Sequence, residues 1–317
     1  MKPPYTISPQ IVKLVSHISL KLGEVNANYL SRPSPQLCKR NRIKTIHSSL
    51  QIEGNKLSIN QITALVENKR IIGPQKDVQE VLNAIQVYDA LDKYNPFSEP
   101  SFLRAHKKLM SGLMDKPGKY RTTGVGIVKG KQVKHIAPPA GNVMYLVKDL
   151  FTYLKTDAEH TLIKSAVFHY ELEFIHPFLD GNGRMGRLWQ TLILMNAFPV
   201  FEFLPFETLI SKKQKEYYAV LSRSDKAGHS TLFIEFMLTI INESLEELLQ
   251  YKSRIMSDLD RLEYFLSNNK KEFSRKDYML VFKDISSATA SRDLQKGIQL
   301  NKIIKTGAKN TSKYKLG

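Results

Sequence analysis

Along most of the chain, hydrophobic positions recur every three to four residues, the spacing of helices buried on one face. Ile43, Ile46 and Leu50 mark such a helix over 34–53, stopped by Gly54-Asn55. Ser58 reads as the N-cap of the next, which runs through Ile62, Leu65 and Val66 toward Gly73-Pro74. Val81, Leu82, Ile85, Tyr88 and Leu91 predict a helix over 78–94, closed by Asn95-Pro96. Further helices are predicted over 102–113, 143–155 and 162–174, and 185–197 is apolar nearly all round, as a core helix would be. Leu232, Phe236, Ile240, Leu245 and Leu249 line a long helical stretch over 231–261. One segment has another texture: Val125, Ile127, Val133 and Ile136 flank Lys129-Gly130-Lys131, the pattern of a β-hairpin. After Asn268-Asn269-Lys270-Lys271 the elements shorten to helices over 274–282 and 287–296 and two basic strands over 302–305 and 313–316. The expectation is a mainly α protein.

Composition narrows the class. The 317 residues suit about two domains, with a boundary expected near 250–270. The single cysteine, Cys38, excludes an internal disulfide and an unaided thiolate zinc site, which points to a reducing compartment, the cytoplasm. The most apolar stretch, 191–206, is broken by Asn196, Pro199 and Glu202, so no membrane span is expected. Charge is less ordinary. Forty-seven basic against thirty acidic residues leave a net +17, which suits polyanionic partners or an ordinary solvated basic surface. Twelve of the basic residues and only four acidic ones fall in the last 48 positions.

One segment carries chemistry: His176-Pro177-Phe178-Leu179-Asp180-Gly181-Asn182-Gly183-Arg184-Met185-Gly186-Arg187. A glycine-rich turn leading into a helix N-terminus offers unpaired N–H groups and a positive dipole end, an anion site. Gly181 and Gly183 can adopt positive φ and let a phosphate approach the backbone. Arg184 and Arg187 are neighbours on the first helical turn. Asp180, inside this basic nest, suits a divalent cation bridging phosphates, and His176 suits general-base work near neutral pH. Together they describe transfer from a nucleotide. The plain alternative is a helix–turn–helix corner with a packed histidine and solvated arginines; the density of matched residue types favours the functional reading. Pro177 and Phe178 read as structural.

The segment resembles the signature of the Fic/Doc family, HPFx(D/E)GNGRxxR, at every specified position. The resemblance implies a helical catalytic domain that transfers AMP from ATP to a Ser, Thr or Tyr hydroxyl of a protein target. It implies His176 as base, Asp180 as Mg²⁺ ligand, and a nucleotide cradle of Gly181, Asn182, Gly183, Arg184, Gly186 and Arg187, with Arg187 on the γ-phosphate. Gly183 distinguishes the segment from kinase-like relatives, which carry lysine there. Ser49-Leu50-Gln51-Ile52-Glu53-Gly54 is similar to the family's inhibitory motif, (S/T)xxxE(G/N), with Ser49 and Glu53 on one helical face. That resemblance implies an ion pair from Glu53 to Arg187 that blocks the γ-phosphate position, and an inhibitory helix N-terminal to the core. Some relatives use the same glutamate to position water and remove AMP. The hairpin, with Val125, Gly126, Ile127 and Val128, resembles the family's target-docking flap, and an extended peptide could add to its edge. Gly118-Lys119-Tyr120-Arg121 also resembles the family.

The basic tail has its own likeness. The stretch 287–294 resembles the recognition helix of a winged helix-turn-helix and 303–314 its wing, with Lys305, Lys309 and Lys313 placed to neutralise phosphates. Gly297 departs from that pattern. The expected domains are therefore an N-terminal helical region over 1–100, a catalytic core over 101–250 and a winged-helix domain over 251–317. DNA, through the last of these, and a second copy of the chain stand as optional partners. Rival readings are a DNA-binding regulator whose nucleotide site only senses, and transfer of another phosphate-linked group. His47, His106 and His169 read as structural histidines, and no HExxH pair is present.

Overall fold

The structure, a computed structural model, describes residues 2–27, 35–129, 132–254, 258–268, 272–282, 285–307 and 312–317. The chain divides into two compact units, Met1–Ser31 with Arg40–Glu246, and Arg32–Lys39 with Glu247–Gly317. No described helix is long and apolar enough to cross a membrane.

Helices α1 (Pro9–Ala27), α2 (Pro35–Ile52), α3 (Ile59–Val66), α4 (Gln75–Tyr88) and α5 (Glu99–Leu109) open the chain. The hairpin follows as β1 (Gly126–Lys129) and β2 (Gln132–Ile136), antiparallel with a register shift between Ile127 and Val128. Its Gly130-Lys131 turn lies outside the described residues. Then come α6 (Val143–Thr156), α7 (Thr161–Ile175), α8 (Asn182–Ala197), α9 (Glu207–Lys212), α10 (Gln214–Ala227) and α11 (Thr231–Arg254). Local chemistry sets the boundaries. Ser58 caps α3 in a reciprocal box with Gln61, and Pro100 sits in the first turn of α5 behind the cap Ser98.

The core is built around α8, which runs all but buried, as its all-round apolar sequence predicts. Trp189 and Phe102 meet edge-on at 5.0 Å, and Phe151, Phe168 and Phe178 complete an aromatic cluster about Phe102. The Trp189 indole N–H donates to Pro96 O at 2.9 Å, so the large ring leaves no orphaned donor. Helix α8 starts three residues earlier than its apolar pattern predicts, because Asn182, Gly183 and Arg184 are already helical. The sequence pattern also passes over α1, α9 and α10.

The second unit arranges α12 (Asp258–Asn268), β3 (Phe273–Ser274), α13 (Arg275–Val281), α14 (Ser287–Gln299), β4 (Ile303–Thr306) and β5 (Lys313–Leu316). The strands pair antiparallel in the order β3-β5-β4. Leu262, Phe265, Tyr278, Leu294, Ile303 and Tyr314 fill its core. The predicted stretch 231–261 is two helices, α11 and α12, with residues 255–257 outside the described set. Gly297 has a packing reason: a Cβ there would lie 2.6 Å from Leu262 Cδ2 and 3.1 Å from Ile303 Cδ1.

Candidate active site

The signature loop joins α7 to α8, and two left-handed residues turn it. His176 closes α7 at φ 50°, and Gly181 precedes α8 at φ 87°. A left-handed histidine is strained, and Arg121 holds it there. Buried to 3% exposure, Arg121 donates from Nε to His176 O (2.8 Å) and from its terminal nitrogens to Thr123, Pro138 and Ile175 carbonyls. Its own N–H donates to Pro177 O at 2.9 Å. One guanidinium thus satisfies two carbonyls left open at the end of α7 and ties them to the loops at Thr123 and Pro138.

Phe178 is fully buried and stacks on His106 with ring centres 3.5 Å apart. His106 braces the loop through both ring nitrogens. Nδ1 accepts from Gly118 N–H at 2.8 Å, so the proton sits on Nε2, which donates to Asp180 O at 3.0 Å. Burial pushes the imidazole down to about 4, in keeping with that neutral form. Asn182 ties the loop from the other side: Oδ1 accepts from Phe178 N–H and Nδ2 donates to Phe178 O, both at 2.9 Å. Its side chain is therefore a brace, and what it can offer a phosphate is backbone. His106 is thus structural, as expected from the sequence, and its link to both Gly118 and Asp180 leaves no sequence signal.

The glycines divide by purpose. Gly181 uses positive φ, and a Cβ would press on Met110 Sδ at 2.7 Å. Gly183 corrects the sequence expectation: it is helical, and a Cβ there would overlap Glu53 Oε1 as that side chain sits against Arg187. Gly186 faces α7, where a Cβ would lie 2.6 Å from His169 Cδ2 and 3.3 Å from Glu173 Oε1. His169 itself is a satisfied core histidine between Gln190 (2.7 Å) and Tyr217 (3.0 Å).

The two arginines take different partners. Arg184, 5% exposed, donates to Glu80 Oε1 at 3.1 Å and to Asp180 Oδ1 at 2.9 Å. Arg187 is fully buried. Its Nε donates to Ser49 Oγ (3.1 Å), and one terminal nitrogen donates to Ser49 O (2.9 Å) and to Glu53 Oε1 (2.7 Å). The other terminal nitrogen has no partner. Burial works against the Arg187 charge, but Glu53, Tyr217 and Glu173 outweigh it and hold the guanidinium above its ordinary value. Glu173 lies close by; burial raises its carboxyl, yet His169, His176 and Arg187 together hold it below the usual carboxylate range.

Glu53 reaches Arg187 because α2 ends one residue earlier, with Gly54 at φ 93° turning the chain away. The last carbonyl of α2, Ile52 O, accepts from Gln214 Nε2 (2.7 Å) and Tyr218 Oη (3.3 Å) on α10. Ser49 and Glu53 both reach Arg187, although Glu53 lies one residue past the end of α2 rather than on its helical face. Asp180 is half exposed, and one of its oxygens accepts from Gly181 N–H (2.6 Å) as well as Arg184. No cluster of three metal-ligating side chains exists among the described residues. A single carboxylate still fits Mg²⁺, which keeps several waters and leans on phosphate oxygens. Of the flap, Gly126 to Val128 form β1 as expected, and Val125 directly precedes it.

A family model described as the Fic/DOC family matches residues 96–194. Protein adenylyltransferase fic-1 of Caenorhabditis elegans is 31% identical over 190 residues, 56% of this chain and 35% of its own length. Protein adenylyltransferase Fic of Nematostella vectensis is 27% identical over 256 residues, 75% of this chain and 57% of its own. The chain therefore spans about a third to a little over half of these curated relatives. Among solved structures, a Fic family protein from Desulfovibrio desulfuricans G20 superposes with a TM-score of 0.77 at 39% identity, covering 100% of this chain and 98% of that one. A C. elegans Fic-1 fragment shares the fold, with a TM-score of 0.64 at 22% identity over 76% of this chain and 72% of that one. Similarity at that level along the full length of a relative, around a loop braced as described, means that the chain belongs to the Fic family.

Proposed function

We propose that the protein transfers AMP from ATP to a hydroxyl of a protein target, with Glu53 as its own inhibitor. The observation that carries this reading is the meeting of Arg187, buried and one nitrogen short of partners, with a glycine-lined helix N-terminus and His176. The N-terminus of α8 presents free amides to a phosphate, and Arg184 and Arg187 add charge. His176 takes the proton of the target hydroxyl, whose oxygen bonds to the α-phosphorus as the bond to pyrophosphate breaks. Asp180 would hold Mg²⁺, which when bound supplies positive charge to the phosphate oxygens. The curated relatives named as adenylyltransferases support the reading. The two-stranded hairpin supports target docking by strand addition, because both of its outer edges lack a strand partner among the described residues.

Glu53 places a carboxylate against Gly183 and Arg187, where nucleotide phosphate has to sit. That supports autoinhibition. The test of transfer is label from α-labelled ATP on protein in the presence of Mg²⁺. His176→Ala should lower it by about a hundredfold or more while ATP binding persists. Near-normal labelling by that variant removes His176 as the base, and retention of γ-label alone makes the protein a kinase.

For the C-terminal unit the strand order and the helix pair α13–α14 support a winged-helix domain that binds DNA. Arg275, Lys276 and Lys305 line a cleft of about 1160 Å³ with Ser291 and Gln295 of α14, and Arg275 donates to Ser291 Oγ at 2.9 Å. Lys296 and Lys302 instead pair with Asp258 and Glu263 of α12. Lys313 of β5 likewise pairs with Glu272 at 3.0 Å. Mobility shifts should weaken steeply with salt, and a Lys276→Glu, Lys305→Glu variant should bind more weakly and with a shallower salt dependence. Salt-insensitive binding, or none at low salt, rejects DNA.

A further inference from the structure

Glu80 takes no part in the mechanism above, yet two parts of the site meet on it. It projects from α4, is 7% exposed, and gives each oxygen to a different partner. Oε2 accepts from Asn55 Nδ2 at 2.8 Å, and Oε1 accepts from Arg184 at 3.1 Å. Asn55 stands two residues beyond Glu53 and pins that turn, accepting from Leu57 N–H (3.1 Å) and donating also to Asp77 O (3.1 Å). Arg184 in turn donates to Asp180 Oδ1. Asn55, Glu80, Arg184 and Asp180 form one unbroken line from the turn that carries Glu53 to the carboxylate suited to a cation.

We propose that Glu80 is a positioning residue that couples the Glu53 turn to Asp180 by deciding how much of Arg184 is left for Asp180. Its bearing on catalysis rests on the adenylyl-transfer reading. Arg184 carries one charge and faces two carboxylates, while its Nε has no partner. With Asn55 in place, Glu80 spends one oxygen on each side. Without the Asn55 amide, both Glu80 oxygens can take Arg184 in a fork, the stronger arrangement. The guanidinium is then drawn from Asp180, which becomes freer to hold a cation. Neutralising Glu80 does the opposite and leaves Arg184 wholly to Asp180. A buried carboxylate is costly, so a line serving only to fix the turn gains little from carrying one.

The test uses the full chain carrying Glu53→Gly, with Mn²⁺ titrated in the presence of ATP and followed by electron paramagnetic resonance. Asn55→Ala should lower the half-saturating Mn²⁺ at least about threefold, and Glu80→Gln should raise it by a similar factor. A purely structural role moves both the same way, because each variant then only loosens the site. A second readout needs no ligand. Hydrogen exchange of the Gly181 amide, which donates to Asp180, should change about threefold or more in Asn55→Ala, although Asn55's own side-chain hydrogen bonds go to Leu57, Asp77 and Glu80. Shifts of one sign, no shift, or exchange altered only at residues 53–57 overturn the proposal. If Glu80→Gln does not fold, the sign for Asn55→Ala decides alone; if no variant binds Mn²⁺ with ATP, the exchange arm decides. Opposite shifts in a protein that labels no target would sink the adenylyl-transfer reading and leave the coupling standing.

Discussion

Two arginine–carboxylate pairs, one in each unit and each with one fully buried partner, are chemically alike and built to opposite ends. In the C-terminal unit Arg261 grips Asp293 from two nitrogens, at 2.6 and 2.9 Å, and Tyr278 Oη donates a third bond at 3.1 Å. Asp293 is 1% exposed and both of its oxygens are taken. In the N-terminal unit Arg187 meets Glu53 through a single nitrogen, Glu53 keeps 30% of its surface in solvent, and one Arg187 nitrogen has no partner. A closed pair holds a fold together. An open one keeps a buried charge available, and a ligand bearing its own negative charge can replace the carboxylate.

The comparison breaks most sharply at the closed pair. Asp293→Ala removes the buried carboxylate on which Arg261 and the fully buried Tyr278 hydroxyl converge, and should cost the C-terminal unit about 3 kcal/mol. Replacing both partners, Asp293→Leu with Arg261→Met, should recover most of that loss. Trp189, the only tryptophan, lies in the other unit and its fluorescence should report no change, while amide exchange over α12 to α14 accelerates. Equal exchange in the single and double variants would show that the pair contributes nothing of its own.

The next effect belongs to the bracing beneath the open pair. His106 is held neutral because Gly118 N–H occupies Nδ1, and burial pushes it down to about 4. Its ordinary value is higher, so the unfolded chain binds the proton first. Stability from His106 is complete above about pH 6.5 and is lost as pH falls toward 4, amounting to about 3 kcal/mol. Glu207, pushed up to about 7 by burial, works with the opposite sign and gains the fold stability on acidification. The measurement is therefore a difference. Urea midpoints from Trp189 fluorescence at pH 7 and 4.5 should fall further in the wild type than in His106→Gln. Parallel slopes would remove His106 as the acid-sensitive brace.

How much of this was legible follows the same line. Hydrophobic periodicity gave α8, α6, α7 and the hairpin, because those elements bury one face or all faces. The signature loop and the Ser49–Glu53 spacing were legible because they resemble family motifs with specified residue types at fixed positions. Arg121, Asn55 and Glu80 were not read for their roles, since each acts on backbone or on a residue dozens of positions away. A lone buried arginine donating to four carbonyls leaves no periodic trace. Gly183 was legible as a glycine for the wrong reason: its backbone is helical, and the side chain that excludes a Cβ comes from Glu53, 130 positions earlier. Helices α9 and α10 went unread, and it is α10 that holds the end of α2 and so aims Glu53.

The smallest effect in free energy decides most about function. Glu53→Gly should raise initial labelling from α-labelled ATP by at least about tenfold, equivalent to about 1.4 kcal/mol in the barrier. The reasoning runs through position, because a phosphate kept from Arg187 leaves ATP turned away from the line of attack, and misorientation alone silences a reaction. Arg187→Ala should not mimic it, since that variant loses the phosphate clamp together with the lock. The open pair adds a thermal signature. Removing Glu53 leaves Arg187 hydrogen-bonded to Ser49 and short of one carboxylate, so the variant should melt below the wild type without ligand. Saturating ATP should then raise its melting temperature more than it raises the wild type's, because phosphate now supplies the missing charge. A folded Glu53→Gly protein with unchanged labelling and no added response to ATP would place Glu53 beside Asp293, as one more carboxylate that merely holds an arginine still.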